Sequence, residues 1–260
     1  MTFESIFRLS VFVAVFALMA LWEIFAPKRV QAFSKPIRFA NNIGLMVLNT
    51  MLLRFVFPLG AGGVALYCQL HGIGLLNFVK APVLLELILG LALLDLVIYW
   101  QHIAFHRVPI FWRLHLVHHA DPEFDVSTSG RFHFFEILIS MGIKVVAIAI
   151  LGPSALAVLV FEIVLNACAM FNHSNIRISP KFDAILRNFV VTPDMHRVHH
   201  SQNITEQNSN FGFNIPWWDR LFKTYTAQPA LGHEAMKIGL TEAQTTRDLW
   251  IDRLLLRVFE

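Results

Sequence analysis

Charged side chains are scarce in this sequence. Only 15% of the 260 residues are Asp, Glu, Lys or Arg, whereas 56% are hydrophobic; soluble domains have about 25% charged residues. The 24 Phe residues exclude an intrinsically disordered chain. Linkers, charge runs, low-complexity tracts and internal repeats are also missing, so we predict one domain. The composition argues against an ordinary soluble protein and favours an integral membrane protein.

Cysteine is nearly absent as well. Cys68 and Cys168 both fall in apolar stretches, which excludes a disulfide framework and predicts buried, reduced thiols. The sequence has no GxGxxG fingerprint for a dinucleotide and no four-cysteine cluster for iron and sulfur. The net charge of +3 does not indicate a nucleic-acid partner, because the basic residues flank apolar segments instead of forming a patch.

Long apolar runs are abundant instead. A bilayer core about 30 Å thick requires about 20 apolar residues in a helix. The sequence contains four or five such segments and therefore predicts an all-α integral membrane protein with about four to five transmembrane helices. Pro58 and the neighbouring glycines predict a kink in the second segment, and Gly152-Pro153 predicts a hairpin of the last two. The segments are 6–26, 43–69, 82–101, 135–151 and 154–171.

Basic residues predict the orientation. Lys28 and Arg29 follow the first segment in place of a cleavage site, so we interpret this segment as an anchor and not as a removable signal peptide. The loops 27–41 and 103–133 contain four and three Lys or Arg residues, whereas 71–81 contains only Lys80. Because positively charged loops stay in the cytoplasm, we expect the N-terminus outside and the polar tail from about residue 174 inside.

Some segments of the chain have two interpretations. Lys144 and Glu162 lie on opposite arms of the predicted hairpin, where they either form an ion pair or extend separately to the membrane surface. The stretch from Leu249 to Phe259 suits an interfacial amphipathic helix and equally suits packing on the soluble part. Further ionisable residues inside the apolar segments are Arg54, Glu86 and Asp95.

Twelve histidines are the feature that indicates function. The patterns HxxxH and HxxHH place imidazoles on one helix face, because residues three and four apart share a face. Neutral imidazole binds iron, zinc and copper. Eight clustered histidines exceed the needs of one ion, so the pattern predicts a cage for two metal ions. They are His102, His106, His115, His118, His119, His196, His199 and His200.

Position along the chain predicts where this cage lies. His102 follows Pro82 by about 20 residues, so we expect the metal site to cap the membrane. Asp95 and Tyr99 lie on the same helical stripe and either orient the ligands or form an ordinary buried polar pair. Haem uses only one or two axial histidines and would leave most of the cluster unexplained. The isolated His71 and His233 are expected to be ordinary hydrogen-bonded residues.

The segments that carry the histidines resemble the fatty acid hydroxylase/sterol desaturase superfamily, and more narrowly its compact bacterial members. The similarity extends over about residues 90–240. The matching segments are HIAFHR (102–107), HLVHHADPEFDVSTSGRFHFFE (115–136), FNHSN (171–175), MHRVHHS (195–201) and NFGFNIPWWDRLFKT (210–224).

The resemblance implies a membrane-bound di-iron oxygenase that hydroxylates or desaturates a C–H bond of a sterol, fatty acyl or related isoprenoid lipid. It implies two iron ions as the cofactor, which zinc can replace in the purified protein. It also implies a lipid substrate from the bilayer and a separate electron donor of the ferredoxin, cytochrome or flavoprotein type. No nucleic-acid partner is expected. We accordingly expect a bacterial inner-membrane protein whose helical cap carries the dimetal site on the cytoplasmic side. The chain then divides into an anchor region 1–80, a catalytic region 81–240 and an amphipathic tail 241–260.

Individual residues are also implied by the resemblance. His173 matches a family histidine that precedes the last box and is expected to be a ligand. His133 matches an R-x-H-P-x-E stretch in which Phe134 replaces Pro, so both a ligand role and a supporting role stay open. Lys223 replaces a common glycine and is expected to disturb a turn that needs positive φ. The candidate groups that orient the ligands are Asp95, Tyr99, Glu136, Asp194 and Asn172.

Two other functions stay open at this point. A zinc hydrolase needs a metal-bound water and a carboxylate base, but the sequence has neither HExxH nor an open three-ligand pattern. A non-enzymatic metal transporter needs ligands along a path through the membrane, whereas these cluster at one face. The candidate carboxylate bases of such a hydrolase are Asp121, Glu123, Glu136 and Asp194.

A basic face is expected to dock an acidic electron donor or to contact lipid headgroups. Its residues are Arg107, Arg113, Arg197 and Lys223.

Overall fold

The computed structural model describes residues 3–79 and 81–259, and this part of the chain contains helices and no β-strand. Five helical stretches are long and apolar enough to cross a membrane, so the predicted all-α membrane architecture is confirmed. Lys80, on which the charge of one predicted loop depends, lies outside the described residues. The first eight helices are α1 (Phe3–Phe25), α2 (Lys35–Val56), α3 (Gly60–Leu70), α4 (Leu75–Val79), α5 (Val83–Arg107), α6 (Pro109–His119), α7 (Phe134–Leu151) and α8 (Ala155–Asn172), with α2 to α4 forming one membrane stretch.

The rest of the chain forms short helices joined by loops. They are α9 (Pro180–Leu186), α10 (Pro193–His199), α11 (Ile204–Gln207), α12 (Trp217–Leu221), α13 (Gly232–Ala235) and α14 (Ile251–Leu256), with 3₁₀ turns at Val126–Gly130, Thr246–Leu249 and Arg257–Phe259.

Proline and glycine determine where two of the membrane helices end. The predicted kink in the second segment is confirmed: α2 ends at Val56, because Pro58 disfavours a helical conformation in the residue before it. The predicted hairpin is confirmed as well. Gly152 ends α7 with φ of +66° and its N–H donates to the Ile148 carbonyl, and the Ser154 hydroxyl caps α8.

The polar loops meet at one end of the helical bundle. α1 and α8 run in the same direction, since Arg8 contacts Glu162 and Pro27 pairs with Ile176. α5 also ends at this side and α7 begins there, so residues 26–34, 108–133 and 173–259 together form a cap. The N-terminal end of α1 and the cap therefore lie at opposite ends of the bundle.

Packing between helices closes the bundle. α1 packs on α8, α2 on α7, and α5 against both α7 and α8. The core between α3, α5, α7 and α8 is apolar, and the outward faces of the spans are apolar too, as at Phe55, which is 85% exposed. An apolar outer surface is expected for helices that face lipid.

The C-terminal stretch packs on the cap and on α2. Leu254 and Val258 are buried with Leu45 of α2 and Val117 of α6. Of the two interpretations of residues 249–259, packing on the rest of the protein is the one that the structure supports.

Most ionisable residues inside the spans have partners. The Lys144 ammonium lies 3.0 Å from Glu162, which confirms an ion pair between the hairpin arms. Glu86 accepts hydrogen bonds from the backbone N–H and the hydroxyl of Ser154 at 2.7 and 2.8 Å, and it thereby fixes the start of α8. Arg54 is exposed near the end of α2. The two cysteines are free thiols, as predicted, with Cys68 buried and Cys168 half-buried.

Candidate metal centre

Nine of the twelve histidines come together in the cap and form two groups. Within each group the candidate ligand atoms lie within 4.8 Å of one another, and every ring is buried apart from the half-buried His106. The two groups include all eight histidines of the predicted boxes together with His173. The first group is His102, His106, His115, His119 and His199, and the second is His118, His173, His196 and His200.

The two adjacent-histidine pairs connect the groups. Neighbouring residues on a helix point about 100° apart, so His118 and His119 at the end of α6 send one ring to each group. His199 and His200 at the end of α10 divide in the same way. The rings of His119 and His200 stack across the boundary with centroids 4.5 Å apart. The two groups therefore adjoin, as a two-ion site requires.

Backbone carbonyls determine which ring nitrogen of these histidines is free. A carbonyl oxygen only accepts hydrogen bonds, so a ring whose Nδ1 contacts a carbonyl carries its proton on Nδ1. Its Nε2 then presents a lone pair to the centre of the group. Four rings are held in this way: His102 by the Phe211 carbonyl (2.9 Å), His118 by Arg131 (3.2 Å), His173 by Ala169 (2.8 Å) and His199 by Ser209 (2.8 Å).

The second group fits a metal ion. The Nε2 atom of His173 lies 3.0 Å from that of His118 and 3.1 Å from that of His196. Since His118 and His173 both carry the proton on Nδ1, their lone pairs face each other and repel unless a cation lies between them. Two nitrogens that each lie about 2.1 Å from one ion, with a right angle between their bonds to it, are about 3.0 Å apart.

The first group fits a metal ion for a second reason. Buried polar atoms in proteins are almost always hydrogen-bonded. The Nε2 atoms of His102, His106, His115 and His199 have no partner among the described residues, and neither ring nitrogen of His119 has one. A cation bound by these nitrogens would satisfy them.

Burial keeps the imidazoles of the cap in the form that binds metals. Burial, followed by the neighbouring histidines, holds the pKa of four rings well below the ordinary value. It also lowers the pKa of His199 to about 3 and that of His173 to about 4. Ligands must be deprotonated to bind a metal ion, so these rings are ready for it at neutral pH. The four rings are His118, His119, His196 and His200.

Of the five residues expected to orient ligands, Glu136 contacts a histidine of the groups directly. Its carboxylate lies 2.6 Å from Nδ1 of His115, which directs Nε2 of that ring inwards. Asp194 pairs instead with Arg197 and Lys28, and the Asn172 amide donates to the Phe213 carbonyl at 3.0 Å.

Asp95 and Tyr99 hold a loop and not a ligand. The Asp95 carboxylate accepts a hydrogen bond from the Trp218 indole at 2.8 Å, and the Tyr99 hydroxyl lies 2.9 Å from that of Thr224. Both contacts anchor the segment 210–224, whose Phe211 carbonyl orients His102. Their influence on the site is therefore indirect. Of the two alternatives left open for them, groups that orient the ligands and ordinary buried polar residues, these contacts support the second.

Of the two roles left open for His133, the structure does not support that of a ligand. The structure places His133 outside both groups, where its Nδ1 accepts from the Phe135 N–H and caps α7. Arg197 was expected on an exposed docking face, but it is fully buried because it pairs with Asp194 and covers the Phe124 ring. Arg107, Arg113 and Lys223 are exposed as expected, and His71 and His233 lie outside both groups. Asp121 and Glu123 also lie outside both groups.

A buried charge network beneath the second group was not predicted. Arg38 of α2 holds Asp121 with two bonds of 2.7 and 2.8 Å and reaches Asp125 at 2.5 Å. Burial alone would raise the pKa of Asp121, but Arg38 and Arg131 hold it below its ordinary range. The network fixes the segment 121–131, whose Arg131 carbonyl orients His118. Arg38 was interpreted from the sequence only as part of a positively charged loop.

The turn at Lys223 has the backbone conformation that was expected to be difficult for this residue. Lys223 has φ of +61°, and Asn210 has φ of +53°; no other described non-glycine residue has a positive φ. The turn is kept nevertheless, because the Thr224 N–H donates to the Asp219 carbonyl at 2.8 Å. The amide of Asn210 bonds the carbonyls of Met195 and Thr226, which compensates for its own strain.

A cavity of about 420 Å³ extends from the histidines into the bundle. His102, His115 and Glu136 form part of its wall, so the first histidine group is accessible from inside the membrane-spanning helices. Its apolar wall includes Phe105, Phe132 and Phe213.

Comparison with known proteins agrees with this geometry. The sequence model of the fatty acid hydroxylase family matches residues 87–224, which is just over half of the chain. An ornithine lipid hydroxylase of Rhizobium tropici is 31% identical over 162 residues, covering 62% of this chain and 47% of the relative. Human alkylglycerol monooxygenase is 29% identical over 57% of this chain and 31% of its own length.

The similarity reaches a further type of enzyme. A very-long-chain aldehyde decarbonylase of Oryza sativa is 27% identical over 57% of this chain and 25% of its own length. The chain thus spans less than half the length of these curated relatives, and no solved structure matches it significantly. Because the family match includes every histidine of both groups, the chain belongs to the fatty acid hydroxylase family.

Proposed function

We propose that this protein is a membrane di-iron oxygenase that hydroxylates a C–H bond of a lipid with O2 and electrons from a separate donor. One observation carries the proposal: His102 and His115 belong both to the first histidine group and to the wall of the cavity. A lipid in the cavity would reach the metal site without leaving the bundle. The relatives named hydroxylase and monooxygenase favour hydroxylation over desaturation.

We infer that each histidine group binds one ion. Imidazole is a suitable ligand for both iron and zinc, so the donor atoms alone do not select the metal. When bound, two iron ions would supply the redox chemistry that activates O2 against a C–H bond, which zinc lacks. The ligands proposed are the nine histidines of the two groups, and His133 is not among them.

The protein side chains would orient the ligands and exclude water. The Glu136 carboxylate accepts a hydrogen bond from Nδ1–H of His115, so the lone pair on Nε2 stays directed inwards. The rings of Phe105, Phe132 and Phe213 give the cavity an apolar wall next to the histidines. Such a wall favours an alkyl chain there and keeps bulk water away from the reacting carbon.

Electrons would come from a ferredoxin-, cytochrome- or flavoprotein-type donor. Three exposed cations of the expected docking face, Arg107, Arg113 and Lys223, provide a positive surface for an acidic donor. The Lys and Arg bias of the loops supports a cytoplasmic cap, in a bacterial inner membrane. A C-terminal tag should then resist external protease in intact cells, and its digestion there would contradict this orientation.

Labelled oxygen tests the reaction. Purified protein loaded with Fe(II) would be given membrane lipids, a reductant and isotopically labelled O2, and the lipids analysed by mass spectrometry. The expected product carries one labelled oxygen atom, and zinc-loaded protein should form none. Loss of two hydrogens without label would indicate desaturation instead. Hydrolysed lipid released by the zinc form without O2 would indicate a hydrolase, and unchanged lipid under all conditions would contradict an enzymatic role.

A further inference from the structure

Three charged side chains meet at the cavity wall away from the histidines. Lys144 of α7 and Glu162 of α8 lie 3.0 Å apart, and the Arg8 guanidinium of α1 contacts the other oxygen of the same carboxylate. All three line the cavity. The Lys144 and Glu162 side chains are 11% and 8% exposed, whereas Arg8 is 31% exposed and lies where the cavity meets the outside of the bundle.

Lys144 and Glu162 lie near the middle of α7 and α8, whereas Arg8 lies in the second turn of α1. Glu136, Ser140 and Lys144 follow one another along α7 at intervals of four residues, and all three line the cavity. At 1.5 Å per residue, Lys144 is about 12 Å from the level of Glu136 and the histidines. Glu162 lies ten residues before the end of α8, which is about 15 Å by the same measure.

The three charges of the cluster do not balance among themselves, and Glu136, the other carboxylate of the cavity wall, contacts His115 instead. Arg8, Lys144 and Glu162 together carry +1, and Arg8 also reaches the exposed Glu4 at 3.3 Å on its outer side. Charged residues inside membrane spans are expensive and characteristically functional. An ion pair of Lys144 and Glu162 alone would be neutral, so the extra cation is not needed to neutralise Glu162.

The cluster also has unused donors. An ammonium group has three N–H donors, yet among the described residues Lys144 has one acceptor, Glu162. The cavity between the cluster and the histidines has a polar side formed by Gln101, Ser140 and Asn166. The cavity is therefore amphipathic, with an aromatic end at the metal site and a cationic end in the bundle. Its volume suits a small amphiphile.

We infer that Lys144 and Arg8 bind an anionic group of the substrate, a carboxylate or a phosphate, and so select acidic amphiphiles. The bound anion neutralises the cluster and accepts hydrogen bonds from its free N–H groups, while the alkyl chain extends along the apolar wall towards His102. The assignment of this ligand as a substrate rests on the proposed function. Binding itself needs no metal, because the cluster lies two helical turns from the histidines.

Two matched probes test the anion site. Purified protein in a neutral detergent, without reductant so that no turnover occurs, would be titrated with radiolabelled oleate and, separately, with oleyl alcohol, which has no charge. Wild-type protein should bind oleate about tenfold or more tightly than the alcohol, as expected for a charge-assisted hydrogen bond. Lys144→Met should abolish this preference, and Arg54→Met, which removes an exposed cation of α2 outside the cavity, should not change it.

Glu162→Gln distinguishes an anion site from a structural ion pair. This variant keeps both cations and removes the competing carboxylate, so it should retain or strengthen the preference for oleate. If the ion pair had only a structural role, Lys144→Met and Glu162→Gln would destabilise the protein equally, and they would not change the preference for oleate in opposite directions. Should Lys144→Met fail to fold, the double variant Lys144→Met/Glu162→Gln, which removes both members of the buried ion pair and leaves Arg8 with Glu4, should fold and lose the preference.

The outcomes separate binding from catalysis. Equal affinity of wild-type protein for the two probes, or an unchanged preference in both Lys144→Met and the double variant, would overturn the anion site. Selective oleate binding by a protein that incorporates no labelled oxygen into any lipid would instead contradict only the proposed reaction.

Discussion

Replacing Arg38 by Met tests whether the buried charge network supports the metal site. Arg38 is fully buried and makes three short bonds, two to Asp121 and one to Asp125. Its removal leaves two buried carboxylates without their main cation. Breaking a buried ion pair in this way costs about 3–5 kcal/mol. For a domain of this size that corresponds to a decrease in Tm on the order of 10 °C.

Thermal unfolding in detergent measures this cost, with Arg54→Met as the control on the same helix. Arg54 is exposed, so its replacement should change the free energy of unfolding by less than about 0.5 kcal/mol. At a temperature where both variants are folded, Arg38→Met should also bind less metal, because the Arg131 carbonyl that orients His118 is released. Equal Tm values for the two variants would refute the view that the network is an essential support.

Five further substitutions, grouped in three tests, have expected outcomes. His118→Ala should reduce the metal content per folded chain by about one ion in elemental analysis, whereas His133→Ala should retain the wild-type content; the reverse result would contradict the assignment of the groups. Glu136→Gln should weaken metal binding about 10–100-fold in a chelator competition, and an unchanged affinity would show that its hydrogen bond has no orienting role. Lys223→Gly should raise the stability by roughly 0.5–1 kcal/mol, because relief of a left-handed strain of about 1–2 kcal/mol outweighs the about 0.5–1 kcal/mol that the greater freedom of glycine costs. Asn210→Gly should lower the stability, because three hydrogen bonds of the Asn210 amide are lost; destabilisation by both would contradict strain at Lys223.

Local sequence patterns were sufficient to predict the membrane helices. Hydrophobic runs, the break at Pro58 and the turn at Gly152 act within a few residues of where they occur. The ion pair of Lys144 and Glu162 could be anticipated because a short turn forces the two arms of the hairpin to be antiparallel. Arg8 could not, since it comes from a helix more than a hundred residues away in the chain.

The sequence alone indicated eight of the nine histidines that cluster, because their spacing on helices puts imidazoles on shared faces and imidazole is chemically distinctive; the ninth, His173, was implied only by the family resemblance. Only the tertiary structure decided how they divide into two groups and what orients them. The orienting acceptors are largely backbone carbonyls, such as those of Phe211 and Ser209, and every residue type has a carbonyl, so no sequence signal marks them. The capping role of His133 and the burial of Arg38 were likewise decided by tertiary packing, which brings together groups that are distant in the chain.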